Sequence, residues 1–429
     1  MASDKTLTKT KSDSPFNRTA QHSAKRQAIL SQAAMLFNSK GSRATTLTDI
    51  AMSLGLTKTS LYYYVKTKDE LVYQAYLAAI AHHNASLDTI EAEQSQPLDR
   101  ISAFILKHFR DWMAAREGQA PHIAALMEIA SLKGTYRSDV EAAYIAMFKR
   151  IREYVREGIA QGSIRQCEAT ATTRAIIGSV EWIFHWLHDH SPTQVEMAAQ
   201  ATLDILLNGL YAGAGDYPIA GFHYQSGSEK TLPGFDKAAQ NRLKQEAFYK
   251  TGTRFFNKQG FAGTSLDEIA EQLHVSKGAF YYHIKNKEDL LYSCYNRSLD
   301  ISEEIYAQAS QATGNGLQKV EQTFRHSFYL QNCEDGPLIR YYTITSLAAE
   351  RRRKVLKRTN ALNHRFGEFI EEGIQDGSIR PIDPRVARNL SAGATNAAME
   401  IGLWRKVDDI DSTAVDYFCV FFNGLKPRN

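Results

Sequence analysis

Apolar residues recur at helical spacing along almost the whole chain. In one early stretch they fall on one face of a helix, at Ile29, Ala33, Leu36 and Phe37. Phe248, Phe255 and Phe256 hold the corresponding places further along. This three-to-four-residue period is typical of amphipathic helices, and the alternation of a half-buried strand is not sustained over any useful length. The pattern therefore predicts an all-α protein.

The sequence also repeats itself. When residues 37–76 are placed over residues 256–295 without a gap, 16 of the 40 positions are identical. A second similarity lies further along the chain, where EGIAQGSIR at 157–165 resembles EEGIQDGSIR at 371–380. Asn208-Gly209-Leu210 likewise recurs as Asn423-Gly424-Leu425. A repeat of this length indicates two copies of one module, approximately 23–210 and 241–425.

The composition between and before the copies suggests how the chain is divided. Residues 211–240 contain five glycines and two prolines without a sustained apolar period, which favours a linker. Residues 1–22 are rich in Lys, Ser and Thr and are expected to form a disordered arm. We expect two N-terminal heads at 23–83 and 241–302, followed by helical bodies at 84–210 and 303–429.

Each head contains a helix-turn-helix pattern, at about 46–65 and 265–284. In the first copy, Thr45 or Thr46 can cap a helix that Gly55 ends, and Thr57 caps the next helix. Small Ala51 lies where the two helices would cross. In the second copy His274 replaces the turn glycine, a residue that tolerates left-handed backbone better than most.

The outward face of the second helix gives this pattern its functional meaning. With Leu61 and Val65 turned inward, Lys58-Thr59-Ser60 and Tyr62-Tyr63 point away from the core. Tyrosine hydroxyls and lysine ammonium groups are good donors to phosphates, and short polar side chains at a helix start can approach base edges. This surface favours binding to a DNA duplex.

These motifs resemble the DNA-binding domain of the TetR/AcrR family of transcriptional regulators, here as a tandem, single-chain version. The shared features are the T-[TS]-L-x-x-I-A start, the L-[GH]-[LV]-[ST]-K turn and the Y-Y-[YH]-[VI]-K-x-K end. The resemblance implies a three-helix head and a helical body that binds a small molecule and dimerises. It places the DNA contacts on Thr46, Lys58, Thr59, Ser60, Tyr62, Tyr63, Lys68, Ser265, Lys277, Gly278, Ala279, Tyr281, Tyr282 and Lys287.

Charge and cysteine content fit this interpretation. The net charge is only +4, but positive charge is concentrated in residues 24–70 and 241–289, as expected if those segments alone meet a polyanion. Four separated cysteines without a C-x-x-C argue against a disulfide frame or a zinc knuckle. No long uncharged apolar stretch or secretion signal is present, so we expect a cytoplasmic protein without a membrane contact.

Catalytic and cofactor motifs are missing, so we predict neither an enzyme nor a bound cofactor. The segment EWIFHWLHDH contains His185, His188 and His190 at spacings that could gather a metal. A histidine-rich helix end is the simpler interpretation, and we predict no metal site. Aromatic residues in the bodies are expected to be mostly core, with some lining a pocket for an apolar or aromatic effector.

We therefore predict a repressor in which both heads of one chain bind an operator until a small molecule releases it. The last helices of the two bodies, about 170–189 with 193–210 and 384–406 with 411–425, should form a four-helix bundle. The resulting pseudo-dimer could pair again. Gly278-Ala279 lacks the hydroxyls of the first head and could read thymine methyls, DNA shape or only the backbone. Two rival functions remain: a small-molecule carrier or sensor with vestigial heads, and a sequence-indifferent DNA-packaging protein.

Overall fold

In a computed structural model, residues 18–219, 237–333, 336–399 and 401–428 are described, and they confirm the all-α prediction. The first module contains α1 (Arg18–Lys40), α2 (Leu47–Ser53), α3 (Lys58–Tyr62), α4 (Lys68–Glu93), α5 (Pro97–Arg116), α6 (Gly134–Gln161), α7 (Ala169–Glu181) and α8 (Pro192–Asn208). The second contains α9 (Lys237–Gly263), α10 (Leu266–Gln272), α11 (Lys277–His283), α12 (Lys287–Gln311), α13 (Gly316–Asn332), α14 (Ala349–Gln375), α15 (Pro384–Ala398), α16 (Ile401–Trp404) and α17 (Ile410–Asn423). Short 3-10 segments at Leu126–Ser131, Trp182–His185 and Tyr341–Ser346 interrupt the bodies.

The heads fold as the helix-turn-helix pattern predicts. Thr46 and Thr57 cap α2 and α3 through side-chain hydrogen bonds, and Ser265 and Ser276 cap α10 and α11. Gly55 has φ +65°, and its counterpart His274 has φ +53°. The turn therefore keeps its left-handed residue in both copies, at some conformational cost in the second. The side chains shared by the two head cores are buried: Ile50, Ala51, Leu61 and Val65 in the first, and Ile269, Ala270, Phe280 and Ile284 in the second.

The two bodies meet through equivalent helices of the two modules. Helices α7 and α15 cross there, and α8 and α17 pack beside them, which confirms the predicted four-helix interface. The residues that follow α8 and α17 donate backbone hydrogen bonds to the last turn of the opposite helix. Leu210 N donates to Phe421 O at 2.7 Å, and Leu425 N donates to Leu206 O at 3.0 Å. Each module therefore donates an equivalent backbone hydrogen bond to the other, which joins the two halves of the pseudo-dimer.

The predicted boundaries need correction at the arm and the linker. Helix α1 begins at Arg18, inside the predicted arm, and the His22 ring stacks on Tyr64 at 4.9 Å. Tyr217 of the predicted linker is buried, and its hydroxyl donates to Glu321 Oε2 at 2.7 Å. Helix α9 begins at Lys237, where Lys-Ala-Ala-Gln has strong helix propensity. Residues 1–17 and 220–236, which carry the rest of these predictions, lie outside the described residues.

Candidate nucleic-acid interface

Helices α3 and α11 present the predicted tyrosine pairs to solvent. Tyr63 is 77% exposed and Tyr282 is 84% exposed, while Tyr62 and Tyr281 are 45% and 44% exposed. Such exposure is unusual for tyrosine unless a partner covers the ring. The other predicted contacts on these two helices are also exposed: Lys58, Thr59, Ser60, Lys277, Gly278 and Ala279.

The start of each of these helices is fixed by its cap. Thr57 Oγ1 accepts from Ser60 N at 3.1 Å and also lies 2.9 Å from Ser60 Oγ. In the second head Ser276 Oγ accepts from Ala279 N at 3.2 Å. A capped helix start holds the residues after the cap in one orientation. The first head therefore offers the Thr59 hydroxyl outside the capping contact, whereas the second offers only Gly278 and Ala279 at these places.

Four predicted contacts have structural roles. Thr46 and Ser265 cap α2 and α10, so their hydroxyl groups accept backbone hydrogen bonds. Lys68 Nζ donates to Arg43 O at 2.5 Å, and Lys287 Nζ donates to Thr264 O at 2.8 Å. Burial lowers the pKa of both lysines. The ammonium groups of Lys68 and Lys287 therefore hold the loop before each helix-turn-helix, a role that the sequence did not predict.

A carboxylate makes the two contact surfaces unequal. Asp267 on α10 pairs with Lys277 Nζ at 2.7 Å and accepts from the Tyr281 hydroxyl at 3.3 Å. The hydrogen bond from Lys277 holds the pKa of Asp267 below its usual range. In the first head the corresponding residue is Thr48, and Lys58 lies over the Tyr62 ring at 5.7 Å. In the second head Asp267 therefore occupies two of the donors that the sequence predicts to contact DNA, Lys277 and Tyr281.

Two asparagines that the sequence analysis did not single out connect the heads to the bodies. Asn38 of α1 donates to Ile123 O at 2.7 Å and accepts from Ala125 N at 2.8 Å. Asn257 of α9 makes the matching pair with Leu338 O and Arg340 N, each at 2.9 Å. Their identity across the repeat was the available signal. We call these two contacts the asparagine latches.

Each head also touches the other module's body. Arg137 Nη1 of α6 donates to Lys258 O of α9 at 3.4 Å, and Gly41 packs against Thr345. Between the heads, the Arg43 guanidinium lies 5.9 Å from the centre of the Phe261 ring. The relative position of the heads is therefore set by packing as well as by the covalent connection.

A cavity lies beside each latch. A cavity of about 330 Å³ in the first body is lined by Asn38, Trp112 and Ile123 among others. A cavity of about 610 Å³ in the second body is lined by Phe324, Leu338 and others. Volumes of this size suit small organic ligands. Other body aromatics are core as expected, since Phe104, Phe109, Phe148 and Phe328 are fully buried.

The histidine segment belongs to the cavity walls. His185 Nε2 lies 3.2 Å from Met127 Sδ, and burial lowers the pKa of His185 to about 4. Within the described ranges no cluster of His, Cys, Asp and Glu has a metal-binding arrangement. None of the described helices combines the length and hydropathy that crossing a bilayer requires.

Comparison with known proteins identifies both halves of each module. Residues 29–75 and 248–294 match the family described as "Bacterial regulatory proteins, tetR family". Residues 94–210 and 325–400 match "Tetracyclin repressor-like, C-terminal domain". The chain belongs to the TetR family. Its duplicated domains establish it as a tandem TetR-type protein, with two heads in one chain.

Individual TetR relatives cover about one module each. The chain is 26% identical over 199 residues to the HTH-type transcriptional repressor KstR2 of Mycolicibacterium smegmatis, spanning 46% of this chain and 96% of the relative. It is 29% identical over 149 residues to the transposon Tn10 TetC protein of Escherichia coli, spanning 32% and 69%. Among solved structures, the TetR family regulator PfmR of Thermus thermophilus is 28% identical with a TM-score of 0.35, covering 41% of this chain and 95% of PfmR.

Proposed function

We propose that this TetR-type chain is a sequence-specific repressor that places both heads on one operator and leaves it when a small molecule binds. The observation that carries the proposal is the pair of exposed, capped helices α3 and α11 on the two equivalent heads of one chain. Two such helices related by a two-fold can enter successive major grooves on one face of a duplex. A repressor of this kind would act in the compartment that holds the chromosome, the cytoplasm.

The contacts divide by chemistry. Tyr62, Tyr63 and Lys58 would hold phosphates, and Thr59 would approach base edges, with Ser60 at the helix start beside it. In the second head Tyr281, Tyr282 and Lys277 would hold phosphates. Gly278-Ala279 would contact thymine methyls or follow DNA shape, since these residues carry no polar side chain. The expected operator is therefore an imperfect palindrome.

Release would proceed through the asparagine latches. Ile123 and Leu338 each line a body cavity and each offer their carbonyl oxygen to a latch asparagine. A ligand that binds more tightly when these walls have moved would favour a head spacing that cannot span both half-sites. The population of the DNA-binding arrangement then falls with ligand concentration.

A gel-shift titration of the full chain against its own upstream region and against random DNA tests the proposal. Nanomolar binding to the upstream DNA, with a steep loss of affinity as salt rises, supports it. Equal affinity for both DNAs would overturn it and favour the packaging alternative, and no measurable binding would favour a carrier with vestigial heads. Footprinting then checks the operator, because two equally protected, perfectly symmetric half-sites would contradict the unequal heads.

A further inference from the structure

We infer that the second body binds an amphipathic anion, with its apolar or aromatic part inside the 610 Å³ cavity and its carboxylate at Arg388. The first body completes this site. The inference names the ligand class for the effector role proposed above and rests on that proposal for its regulatory meaning. Binding itself is a separate property of the cavity.

The described wall of the cavity is positively charged. None of the described residues that line it is Asp or Glu, whereas Arg385 and Arg388 both line it. His185 lies in the same wall but is neutral at pH 7, because burial lowers its pKa to about 4. A wall with two permanent cations and no described carboxylate favours an anion over a neutral or cationic guest.

Arg388 is the cation that remains available. Arg385 is largely exposed and lies 3.7 Å from Asp383. Arg388 is half-buried, and within the described part of the chain it makes no hydrogen bond or ion pair. Its side chain passes over Gly367 of α14, where an added Cβ would lie 3.7 Å from Arg388 Cδ. A half-buried guanidinium without a partner is suited to a bidentate contact with a carboxylate.

The first body lacks this arrangement. The residue that corresponds to Arg388 on α7 is Thr173, which is fully buried and donates to Ala169 O at 2.6 Å. The residue that corresponds to Gly367 is Arg152 on α6. Neither Thr173 nor Arg152 is among the residues that line the first-body cavity, whereas Arg388 lines the second.

The floor of the cavity is aromatic. The Phe324 ring lies 5.5 Å from that of Phe366, and the Tyr306 ring lies 6.3 Å from Phe366. Burial of such rings against an apolar ligand is favourable, and a cavity of about 610 Å³ accommodates a fused-ring or medium-chain compound. The ligand class is thus apolar at one end and anionic at the other.

The opposite wall comes from the first module. Trp182 and Trp186 both line the cavity. Their indole rings offer apolar faces against which an aromatic ligand can pack. A ligand held between Arg388 and these tryptophans touches both modules and lies beside Leu338, whose carbonyl oxygen is held by the Asn257 latch.

The test uses the full chain without DNA and two probes with one aromatic body, 1-naphthaleneacetate and its neutral amide. Calorimetric titration should show the acid binding about tenfold more tightly than the amide, because only the acid makes a charge-assisted contact. Arg388→Met should abolish that preference and leave amide binding unchanged. Arg353→Met, which removes the same charge from the exposed face of α14, should keep the preference.

Occupancy of the proposed site is read from tryptophan fluorescence. The acid should quench the wild-type signal, and part of that quenching should be lost in each of Trp182→Phe and Trp186→Phe. Arg388→Lys should retain part of the acid preference if the effect is one of charge. Equal binding of acid and amide, or a preference that survives Arg388→Met, overturns the inference. Those results leave operator binding untouched, whereas a failed gel shift with intact acid binding removes only the repressor proposal.

Discussion

Gly178 of α7 and Gly393 of α15 meet at the crossing of the two helices. A Cβ added to Gly393 would lie 2.5 Å from Gly178 O, and one added to Gly178 would lie 2.4 Å from Ala397 Cβ. These two glycines are equivalent in the repeat, each 215 residues from the other. The close approach of the bodies therefore depends on the absence of a side chain at both positions.

Gly178→Val should weaken this crossing. The added side chain forces α7 and α15 apart, so we expect the free energy of unfolding to fall by about 1–3 kcal/mol. Urea denaturation followed by circular dichroism measures the change. Gly402→Ala is the control, because a Cβ there meets nothing within 4 Å and should be neutral or slightly stabilising. An unchanged midpoint for Gly178→Val would show that the crossing is looser than described.

Asp267→Thr should strengthen operator binding. The change gives the second head the residue that the first head has at this position, Thr48, and frees Lys277 and Tyr281 for phosphates. Exposed pairs are weak, so we expect about a threefold to fivefold lower Kd. Fluorescence anisotropy with labelled operator measures it. The reverse change, Thr48→Asp, should weaken binding by a similar factor. Weaker binding by Asp267→Thr, or tighter binding by Thr48→Asp, would refute the assignment.

Removing either exposed tyrosine should weaken DNA binding generally. Tyr63→Ala and Tyr282→Ala are each expected to cost about 1–3 kcal/mol across specific and random sequences, because these side chains are assigned to phosphates. The double variant shows whether one head suffices. Met197→Ala, a similarly exposed position on α8 away from the heads, serves as the control. Loss confined to one sequence would instead indicate base reading.

Breaking one asparagine latch should loosen one head. Asn257→Ala leaves Leu338 O and Arg340 N without their partner, a loss of about 1–3 kcal/mol of local stability. Backbone amide hydrogen exchange should become faster in α9 and should stay unchanged in α1. Asn38→Ala should give the converse pattern. Equal acceleration of both heads by either variant would mean that the heads open as one unit.

Acid should destabilise the fold through buried histidines. Burial lowers the pKa of His185 and of His326 to about 4, below the usual 6.5. The unfolded chain takes up these protons near pH 6.5, and the folded chain takes them up only near pH 4. The contribution of the neutral histidines to stability is therefore fully present above pH 6.5 and is lost as the pH falls from 6.5 to 4. We expect roughly 2 kcal/mol per histidine. We measure the urea midpoint between pH 7 and pH 4. In His185→Gln the midpoint should depend less on pH than in the wild type.

Features that depend on neighbouring residues could be predicted from the sequence. Helical period, caps and the left-handed residue at Gly55 or His274 depend on neighbours within a few positions, and the repeat made each inference twice. Side-chain partners were harder to predict. Lys68 and Lys287 carry the right charge for phosphates, but the carbonyl groups that hold them come from a loop more than twenty residues away. The place of Arg388, without a partner among the described residues, likewise depends on where α14 and α15 meet.

The difference between Thr173 and Arg388 has a genetic consequence. In a homodimer a single codon change alters both subunits, so a substitution that suits one pocket must be tolerated in the other. Here each half has its own codons, and α15 carries Arg388 at a cavity wall where the equivalent position of α7 carries the buried Thr173. The two halves can therefore acquire new ligands or new half-sites one at a time, with the unaltered half preserving the assembly.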